Sequence, residues 1–488
     1  MSRPYRIPSF TGAFRENLDA LISTLIIGDK RPAGKKIGFE LERILLYADG
    51  SPVPFSGERG ISALLHEMAR TRPEQQLDFI DGSLLGLAYP VETSSETVDV
   101  TVSLEPSAQM EISTGPAHSV RALYETVLRF DEEVRRALAT LGIDAHLVAL
   151  GCNPSVRSPL DLELIPKKRY TFMDAYLSGR GRFAQDMMRC TASTQVSLDY
   201  ESECDAERIY RMATLLGPMF AFLFDNAPIF RGQPAFGMAR SRIWRHVDVD
   251  RCGIVPGALK GLSFEDYILW VSSVKPVIFT DEQKVTTSTD DLYTRDIMSK
   301  RLLSRNELLH LLSTVYPNVR LKGFVELREM DSLPPRLAAA CTSFTGALFY
   351  DRELESKLVD RLRARLPEGF DEIDENDAVV ARVHLEEQGW GASVYGVPVG
   401  EMADALLAIA KENVAGHAGC LDASSTSPID AAVPVVCDTG AARDFDLEGL
   451  HMLERLWGAR RLPRDCDRSE LQDLMGTEDV WFDAARFA

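Results

Sequence analysis

The fold of this protein is decided by an alternating stretch near the N-terminus, Lys36-Ile37-Gly38-Phe39-Glu40-Leu41-Glu42-Arg43-Ile44-Leu45-Leu46. Apolar side chains occupy Ile37, Phe39 and Leu41, whereas Glu40 and Glu42 lie between and after them. A period of two is the strand period, in which successive side chains point to opposite faces. One face of this strand can therefore join a core, while the other carries two carboxylates about 7 Å apart.

Two carboxylates this close on one strand repel each other unless a cation lies between or above them. A hard divalent ion such as Mg²⁺, held by carboxylates and by substrate phosphates, is the usual cation in such a place. A surface strand with two solvated glutamates is the alternative, and for this motif in isolation it is an equally good interpretation.

Later parts of the chain repeat the alternation, in residues 98–113, 194–199 and 321–328. Their apolar positions predict an antiparallel sheet with one face on a core. Their polar positions include Glu111, Gln195, Glu326 and Arg328. Four such faces laid side by side would form an acidic trough containing one arginine, which is a suitable site for metal ions and a polyphosphate.

The composition excludes several classes of function. The 488 residues carry 73 acidic and 54 basic side chains, a net charge of −19, which argues against nucleic acid or an anionic membrane as a partner. The eight cysteines form no Cys-x-x-Cys pair, so we expect no zinc site and read them as reduced intracellular thiols. The N-terminus shows no secretion signal and no apolar run is long enough to cross a bilayer, so we expect a cytoplasmic protein.

Helical spacing of apolar residues predicts helices between and after the strands. The main ones are expected at residues 12–28, 119–141, 206–224, 304–315, 337–349, 399–412 and 447–458. Ser304 and Glu307 have the spacing of a capping box at the start of one of them. Residues 230–253 are expected to be irregular, the chain after Pro367 to be looser, and residues 422–434 to form a loop.

Nine motifs follow one another along the chain, at residues 38–42, 103–113, 166–170, 186–189, 194–199, 240–244, 250–256, 319–328 and 348–351. Taken in this order, they resemble those of plant-type glutamate–cysteine ligases, which also occur in many bacteria. The resemblance runs from about residue 10 to about residue 415. It implies an α+β, glutamine synthetase-like fold, in which a curved, mostly antiparallel sheet forms a funnel backed by helices.

The resemblance also implies a reaction and a domain organisation. The γ-carboxylate of glutamate would attack the γ-phosphate of ATP, and the amine of cysteine would then displace phosphate from the γ-glutamyl phosphate. The product would be γ-glutamylcysteine, the first intermediate of glutathione biosynthesis. Residues 1–420 would form the catalytic domain and residues 421–488 a loop and helical extension of the same domain, in a monomer or homodimer.

The resemblance assigns a role to each candidate site residue. It implies two or three Mg²⁺ ions, with Mn²⁺ as an alternative, held by Glu40, Glu42, Glu105, Glu111, Gln195 and Glu326. Arg328 would act with Glu326 in catalysis and contact the transferring phosphate of ATP, a role that suits the permanently charged guanidinium fork. Arg169 and Arg240 would bind the carboxylates of glutamate, and Trp244 would form part of the pocket wall.

Other interpretations of these residues and of the function stay open at this point. Glu105 is also suited to capping or solvation beside Pro106, and Gln195 to hydrogen bonding within the sheet. Arg169 and Arg240 would, without the resemblance, be read as surface ion pairs. The ligase could use an amine other than cysteine, or the chain could be an inactive nucleotide-binding homologue that acts as a sensor or partner.

Overall fold

A computed structural model describes residues 12–26, 35–72, 75–416 and 440–475. The strands, in chain order, are β1 (Ile37–Tyr47), β2 (Gln76–Ile80), β3 (Ser83–Glu92), β4 (Thr97–Leu104), β5 (Met110–Thr114), β6 (Ala145–Val148), β7 (Ser193–Leu198), β8 (Ile229–Phe230), β9 (Gln233–Pro234), β10 (Cys252–Gly253), β11 (Ile278–Thr280), β12 (Thr286–Ser288), β13 (Tyr316–Pro317), β14 (Val319–Leu321), β15 (Val325–Asp331), β16 (Ser393–Val394) and β17 (Val397–Pro398).

Helices separate and follow these strands. They are α1 (Gly12–Leu25), α2 (Ile61–Thr71), α3 (Val120–Leu141), α4 (Lys168–Leu177), α5 (Ala184–Cys190), α6 (Glu203–Leu223), α7 (Ala239–Trp244), α8 (Phe264–Ser272), α9 (Thr294–Met298), α10 (Arg305–Leu312), α11 (Pro335–Phe349), α12 (Leu354–Leu362), α13 (Glu375–Gln388), α14 (Val399–Gly416), α15 (Gly440–Gly458) and α16 (Arg468–Met475). The capping box of Ser304 and Glu307 is present at the start of α10, as predicted.

A nine-stranded sheet lies at the centre of the molecule. Its strand order is β14-β15-β7-β1-β5-β4-β3-β2, and β6 pairs with the second half of β1. All of its neighbouring strands are antiparallel. The expected class, α+β with a mostly antiparallel sheet backed by helices, is therefore confirmed.

The apolar face of this sheet packs against helices. Leu41 pairs with Ile112 across β1 and β5, and Phe39 and Leu327 both lie opposite Val196 of β7. All five side chains are buried, and α3 and α11 pack against the sheet. Burial of this apolar surface supplies the main driving force for folding. The opposite face is left for the polar side chains that alternate with them.

The fourth polar segment differs from its prediction. Residues 321–328 were expected to form one strand, but the chain turns at residues 322–324, where the amide of Lys322 donates to the carbonyl of Phe324 at 2.9 Å. The resulting hairpin of β14 and β15 places Arg320 directly opposite Glu326. The single-strand interpretation was wrong because Gly323 and Phe324 interrupt the alternation, and this turn signal was not used.

Three other expectations need correction. The stretch 230–253 is not wholly irregular, because it contains α7, and the region after Pro367 contains the regular helix α13. The predicted helix 447–458 begins earlier, at Gly440. The expected loop 422–434 and the end of the predicted helix 12–28 lie outside the described residues, and the division at residue 420 stays a prediction. No helix in the described ranges is long and apolar enough to cross a membrane.

Candidate active site

The polar face of the sheet brings the predicted residues into neighbouring rows. Glu40 of β1 lies opposite Ser113 of β5 and Gln195 of β7, and Glu42 lies opposite Glu111. Directly opposed residues of an antiparallel pair share a face. Carboxylates from β1 and β5 therefore lie side by side, with the amide of Gln195 next to them.

We call Glu40, Glu42, Glu105 and Glu111 the acidic cluster. Burial, with Glu111 and Glu326 nearby, raises the pKa of Glu40 to about 7. Burial, with Glu111 and Glu42 nearby, raises the pKa of Glu105 to about 8. The pKa values of Glu42 and Glu111 are also raised, chiefly by burial. Four carboxylates thus compete for too few positive charges within the chain.

Glu105 reaches this cluster from a tight turn rather than from a strand. It follows the last residue of β4, its amide donates to the carbonyl of Gln109 at 2.9 Å, and its carbonyl accepts from the amide of Ala108 at 2.9 Å. Ala108 adopts a left-handed conformation with φ of 65°. The turn lifts Glu105 out of the strand direction and directs its side chain to the carboxylates of β1 and β5.

A chain of hydrogen bonds links the acidic cluster to the other end of the face. The side-chain amide of Gln195 donates to Glu42 Oε1 at 2.8 Å, and the amide of Ser193 donates to Glu42 Oε2 at 2.7 Å. Arg328 in turn donates to Gln195 Oε1. Gln195 therefore hydrogen-bonds to side chains of neighbouring strands, as the alternative interpretation expected. A metal ion could bind to Gln195 Oε1 only by displacing Arg328.

We call Glu326, Arg320, Lys322 and Arg328 the cationic cluster. Glu326 is fully buried and accepts from Arg320 Nε at 2.6 Å, Arg328 Nη1 at 2.9 Å and Lys322 Nζ at 3.0 Å. Burial alone would raise its pKa, but the three cations hold it well below the usual range. Both carboxylate oxygens of Glu326 are thus engaged by side chains of the protein itself.

Arg328 owes its direction to a β-bulge. The register between β15 and β7 shifts between Leu327 and Met330, while on the other side of β15 the amide of Arg328 donates to the carbonyl of Asn318 and extends the pairing with β14. A bulge re-aims the side chain that it carries. Arg328 therefore contacts both Gln195 and Glu326 while also lining a cavity next to the sheet edge.

The predicted substrate-binding residues meet around Tyr316, and we call Arg169, Arg240, Trp244 and Tyr316 the arginine pocket. Arg169 Nη2 lies 3.5 Å from the Tyr316 hydroxyl, and the Tyr316 ring meets the Trp244 ring edge-on at 6.3 Å. The Arg240 guanidinium lies 5.9 Å from the centre of the Trp244 ring. The structure thus brings Arg169 close to Arg240 and Trp244, although 75 positions separate Arg169 from Trp244 in the sequence.

Neither arginine is a surface ion pair. Arg240 is 4% exposed and donates to three backbone carbonyls of β15, those of Arg328, Glu329 and Met330. Within the described part of the chain, Nε of Arg169, Nε of Arg240 and the indole nitrogen of Trp244 have no hydrogen-bond partner. Buried N–H groups without partners are rare in folded proteins. These three donors mark a place where an anionic ligand is expected.

One cavity joins the arginine pocket to the cationic cluster. Arg240, Trp244 and Tyr316 line it together with Arg328. Arg328 is therefore the one predicted residue that touches both neighbourhoods. A ligand carboxylate held by the arginine pocket would lie beside the guanidinium group that also faces the carboxylates of the sheet.

Several contributors to this site were not predicted. Arg320 and Lys322 stand within a quoted motif but received no role, because the hairpin that opposes Arg320 to Glu326 was not foreseen. Ser103 donates to Glu111 at 2.7 Å, and only the pairing of β4 with β5 reveals this contact. Tyr316 carried no pattern that could have marked it.

The donor set of the acidic cluster fits a hard divalent cation. Its side-chain donors are all oxygens, as Mg²⁺ requires, and the mutual repulsion of its carboxylates indicates a missing positive charge. Within the described ranges, no three His, Cys, Asp or Glu side chains already surround one point closely enough to hold a metal ion. Binding at the acidic cluster would therefore require side-chain rotation, and Glu326 would have to exchange its present partners.

This combination defines a class: proteins whose antiparallel sheet brings paired carboxylates and arginines together beside a cavity. Residues 36–415 match the model of glutamate-cysteine ligase family 2 (GCS2). Because that match covers most of the chain, the protein belongs to this family.

Curated relatives agree with the family match. A chloroplastic glutamate–cysteine ligase of Medicago truncatula is 29% identical over 355 residues, which cover 70% of this chain and 66% of the relative. The chloroplastic enzyme of Arabidopsis thaliana is 31% identical over 268 residues, covering 53% of this chain and 51% of the relative. The chain thus spans between half and two thirds of the length of these relatives.

The same names overturn the expected location. We expected a cytoplasmic protein from the absence of a signal in the sequence, but these relatives are chloroplastic proteins. The prediction of a cytoplasmic location was therefore wrong.

Among solved structures, the complex between the prokaryotic ubiquitin-like protein Pup and its ligase PafA aligns with this chain. The alignment covers 86% of this chain and 64% of that chain, with a TM-score of 0.37 and 11% identity. Because this similarity is low, the fold is described from the strands and helices of this chain alone.

Proposed function

We propose that this protein is a glutamate–cysteine ligase that uses ATP and divalent metal ions, with Mg²⁺ as the physiological ion. The position of Arg328 carries the proposal. It contacts Glu326 and Gln195 and lines the same cavity as Arg240 and Trp244. A phosphate bound over the sheet and a glutamate bound in the arginine pocket would therefore meet at one guanidinium group.

The arginine pocket would hold glutamate by its carboxylates. Arg169 and Arg240 are both buried or half-buried, each has an unpartnered Nε, and a charge-assisted hydrogen bond in such a place is strong. Trp244 would close one side of the pocket and offer its indole N–H. This leaves the γ-carboxylate of glutamate free to point towards Arg328.

Phosphoryl transfer requires positioning and neutralisation of charge rather than a side-chain nucleophile. Arg328 would stabilise the negative charge on the γ-phosphoryl oxygens while a γ-carboxylate oxygen of glutamate attacks phosphorus and ADP departs. Glu326, held by Arg320 and Lys322, would fix the direction of Arg328. Divalent ions bound at the acidic cluster, with Gln195 as a further oxygen donor, would neutralise the phosphate oxygens of ATP.

The second step joins the amine. The amine nitrogen of cysteine would attack the acyl carbon of the γ-glutamyl phosphate, the bond to phosphate would break, and γ-glutamylcysteine would form. The acceptor is the part of the proposal with the fewest residues assigned to it, so the test includes other amines.

The test is an assay of ADP release by the purified chain with ATP, Mg²⁺ and glutamate, with and without cysteine. We expect ADP release that depends on cysteine, with γ-glutamylcysteine detected by mass spectrometry and with loss of activity in EDTA. ADP release that depends on a different amine would change the acceptor and keep the ligase class. ATP binding without turnover with any amine would contradict the proposal.

A further inference from the structure

The C-terminal segment, residues 440–475, lies outside the part of the chain that matches the family and yet packs into the core. Trp457 of α15 is 1% exposed and contacts the rings of Phe224 and Phe344 at 5.5 Å and 5.2 Å. After α15 the chain forms a short 3₁₀ turn, Pro463–Asp465, which contains Arg464. This turn lies beside the end of α6 and the chain that leads into α7.

Arg464 connects this segment to the stretch before α7 by four hydrogen bonds. Its Nη1 donates to Asp225 Oδ2 at 2.8 Å and to the carbonyl of Phe236 at 3.0 Å, and its Nη2 donates to the carbonyl of Ala235 at 2.8 Å. The backbone amide of Arg464 donates to the carbonyl of Asp225 at 3.1 Å. One arginine thus fixes both Asp225 and the backbone two to three residues before Met238.

Asp225 in turn fixes the first turn of α7. Its Oδ2, the atom that accepts from Arg464, also accepts from the amide of Met238 at 2.7 Å. Met238 precedes α7 and adopts a left-handed conformation with φ of 52°, which is costly for a residue other than glycine. The carboxylate of Asp225 therefore helps to stabilise this costly conformation at the start of α7.

The helix held in this way carries two residues of the arginine pocket, Arg240 and Trp244. It has only six residues, so its orientation depends on what holds its ends rather than on its own hydrogen bonds. Arg240 sits two residues after Met238. A change in the backbone at Met238 would therefore move the Arg240 guanidinium relative to the carbonyls of β15.

The charges around Asp225 also connect it to Arg240. Asp225 and Asp331 are 1% and 3% exposed. Burial and the nearby charge of Asp225 both raise the pKa of Asp331. Asp331 Oδ1 lies 4.0 Å from Arg240 Nη1. Without Arg464, Asp225 would be a buried carboxylate without the cation that now pairs with it.

We propose that Arg464 is a positioning residue for glutamate binding, which acts through Asp225 and Met238 on the helix that carries Arg240 and Trp244. The inference rests on the proposed function for the identity of the ligand. It gives the C-terminal segment a role in substrate affinity, although Arg464 itself touches no substrate.

The test compares Arg464→Gln with Arg460→Gln as a matched control. Arg460 lies in the same segment, pairs with the exposed Asp404 at 3.0 Å and makes no contact with Asp225 or α7. We expect Arg464→Gln to raise the KM for glutamate at least about tenfold, with the KM for ATP and kcat changed less than about threefold, since binding rather than chemistry is affected. Arg460→Gln should change none of these constants.

A second measurement does not depend on activity. Hydrogen–deuterium exchange of the amides of residues 238–244 should be faster in Arg464→Gln than in wild type and unchanged in Arg460→Gln. Arg464→Lys keeps the charge opposite Asp225 but cannot bond both carbonyls, so its KM for glutamate and its exchange should lie between wild type and Arg464→Gln. If Arg464→Gln does not fold, Arg464→Lys carries both measurements.

Two results would overturn the inference. One is an Arg464 variant with a wild-type KM for glutamate and wild-type exchange in α7. The other is an equal rise in the KM values for glutamate and ATP, which would indicate general loosening. A wild-type protein without cysteine-dependent ADP release would contradict the proposed function instead, and exchange in α7 would then still decide whether Arg464 holds this helix.

Discussion

The two ends of the polar sheet face use the same residue type in opposite ways. In the acidic cluster, Glu40 has a pKa raised to about 7 because burial and other carboxylates oppose its ionisation. In the cationic cluster, Glu326 is more deeply buried and yet has its pKa held well below the usual range, because Arg320, Lys322 and Arg328 surround it. Burial alone therefore does not decide the charge of a glutamate here; the neighbouring strands do.

The two clusters therefore differ in whether the chain itself supplies the positive charge that their carboxylates need. The cationic cluster is complete within the chain, since each oxygen of Glu326 has a donor. In the acidic cluster, nearby cations such as Lys322, Arg240 and Arg328 do not outweigh burial and the repulsion between carboxylates. Cations from solution would supply the missing positive charge. Four changes would break or sharpen this contrast.

The largest effect is expected at Arg328, where the two clusters meet. We expect Arg328→Lys to lower kcat by about 10³-fold, because a lysine cannot hold Gln195, Glu326 and a phosphate oxygen with one planar fork. Steady-state ADP release measures this effect. Arg365→Lys, which alters an exposed pair with Glu401, is the control and should keep wild-type activity. An Arg328→Lys enzyme within threefold of wild type would remove Arg328 from the chemistry.

The next effect is on stability in the cationic cluster. We expect Glu326→Gln to lower the free energy of unfolding by about 3–5 kcal/mol, because three buried or half-buried cations lose their shared carboxylate. The midpoint of urea unfolding, measured in EDTA, reports this loss. An unchanged midpoint would show that the cations are satisfied without Glu326.

The corresponding change in the acidic cluster should have the opposite sign. Glu111→Gln removes one of the repelling carboxylates, whose pKa is raised by burial and by Glu42, so the unfolding free energy of the metal-free protein should increase. Its affinity for Mg²⁺ or Mn²⁺, measured by calorimetry, should fall by about 10- to 100-fold. Glu92→Gln, an exposed position on the same sheet, should alter neither quantity. Tight metal binding by Glu111→Gln would place the ions elsewhere.

The fourth effect is a pH dependence that metal removes. Glu40 and Glu105 have folded-state pKa values raised to about 7 and about 8 from an ordinary 4.5. Between the ordinary pKa of 4.5 and the raised values, these two groups bind more protons in the folded protein than in the unfolded chain. Stability in EDTA should therefore fall as the pH rises from 5 to 8. Saturating Mg²⁺ favours the ionised carboxylates, so the melting temperature difference between Mg²⁺ and EDTA should grow with pH.

Thermal unfolding at pH 5, 6, 7 and 8 measures this dependence. Glu40→Gln should reduce the slope of the EDTA series, because it removes one of the carboxyl groups whose pKa is raised. Asp331 and Asp446, with pKa values raised to about 8 and about 7, should keep part of the slope. A melting temperature that rises with pH in EDTA would show that the acidic cluster does not carry uncompensated charge.

The acidic cluster was largely predictable from the sequence, because a strand's alternation shows directly which side chains share a face. Glu40, Glu42 and Glu111 were identified in this way, and the register of β1 with β5 brings them together. Family resemblance then supplied Arg169 and Arg240, which no local pattern distinguishes from surface arginines.

The cationic cluster was less predictable, since it depends on a turn of three residues. Gly323 and Phe324 interrupt the alternation there, but the interruption was not interpreted as a turn, so Arg320 was not seen to oppose Glu326. The contacts of Arg464 were beyond sequence reasoning altogether, because they join parts of the chain 239 residues apart through a buried carboxylate. Such pairings follow from the packing of helices whose relative positions the sequence does not state.

The strand order also governs when the site can exist during synthesis. β1 pairs with β5 and with β7, and β7 begins about 150 residues after β1. The cations carried by the β14–β15 hairpin come from beyond residue 318. A nascent chain that has emerged only as far as β7 therefore exposes crowded carboxylates without their arginines. Because long-range pairing is slow, we expect ribosome-bound intermediates of this protein to gain stability from magnesium before they have any catalytic centre.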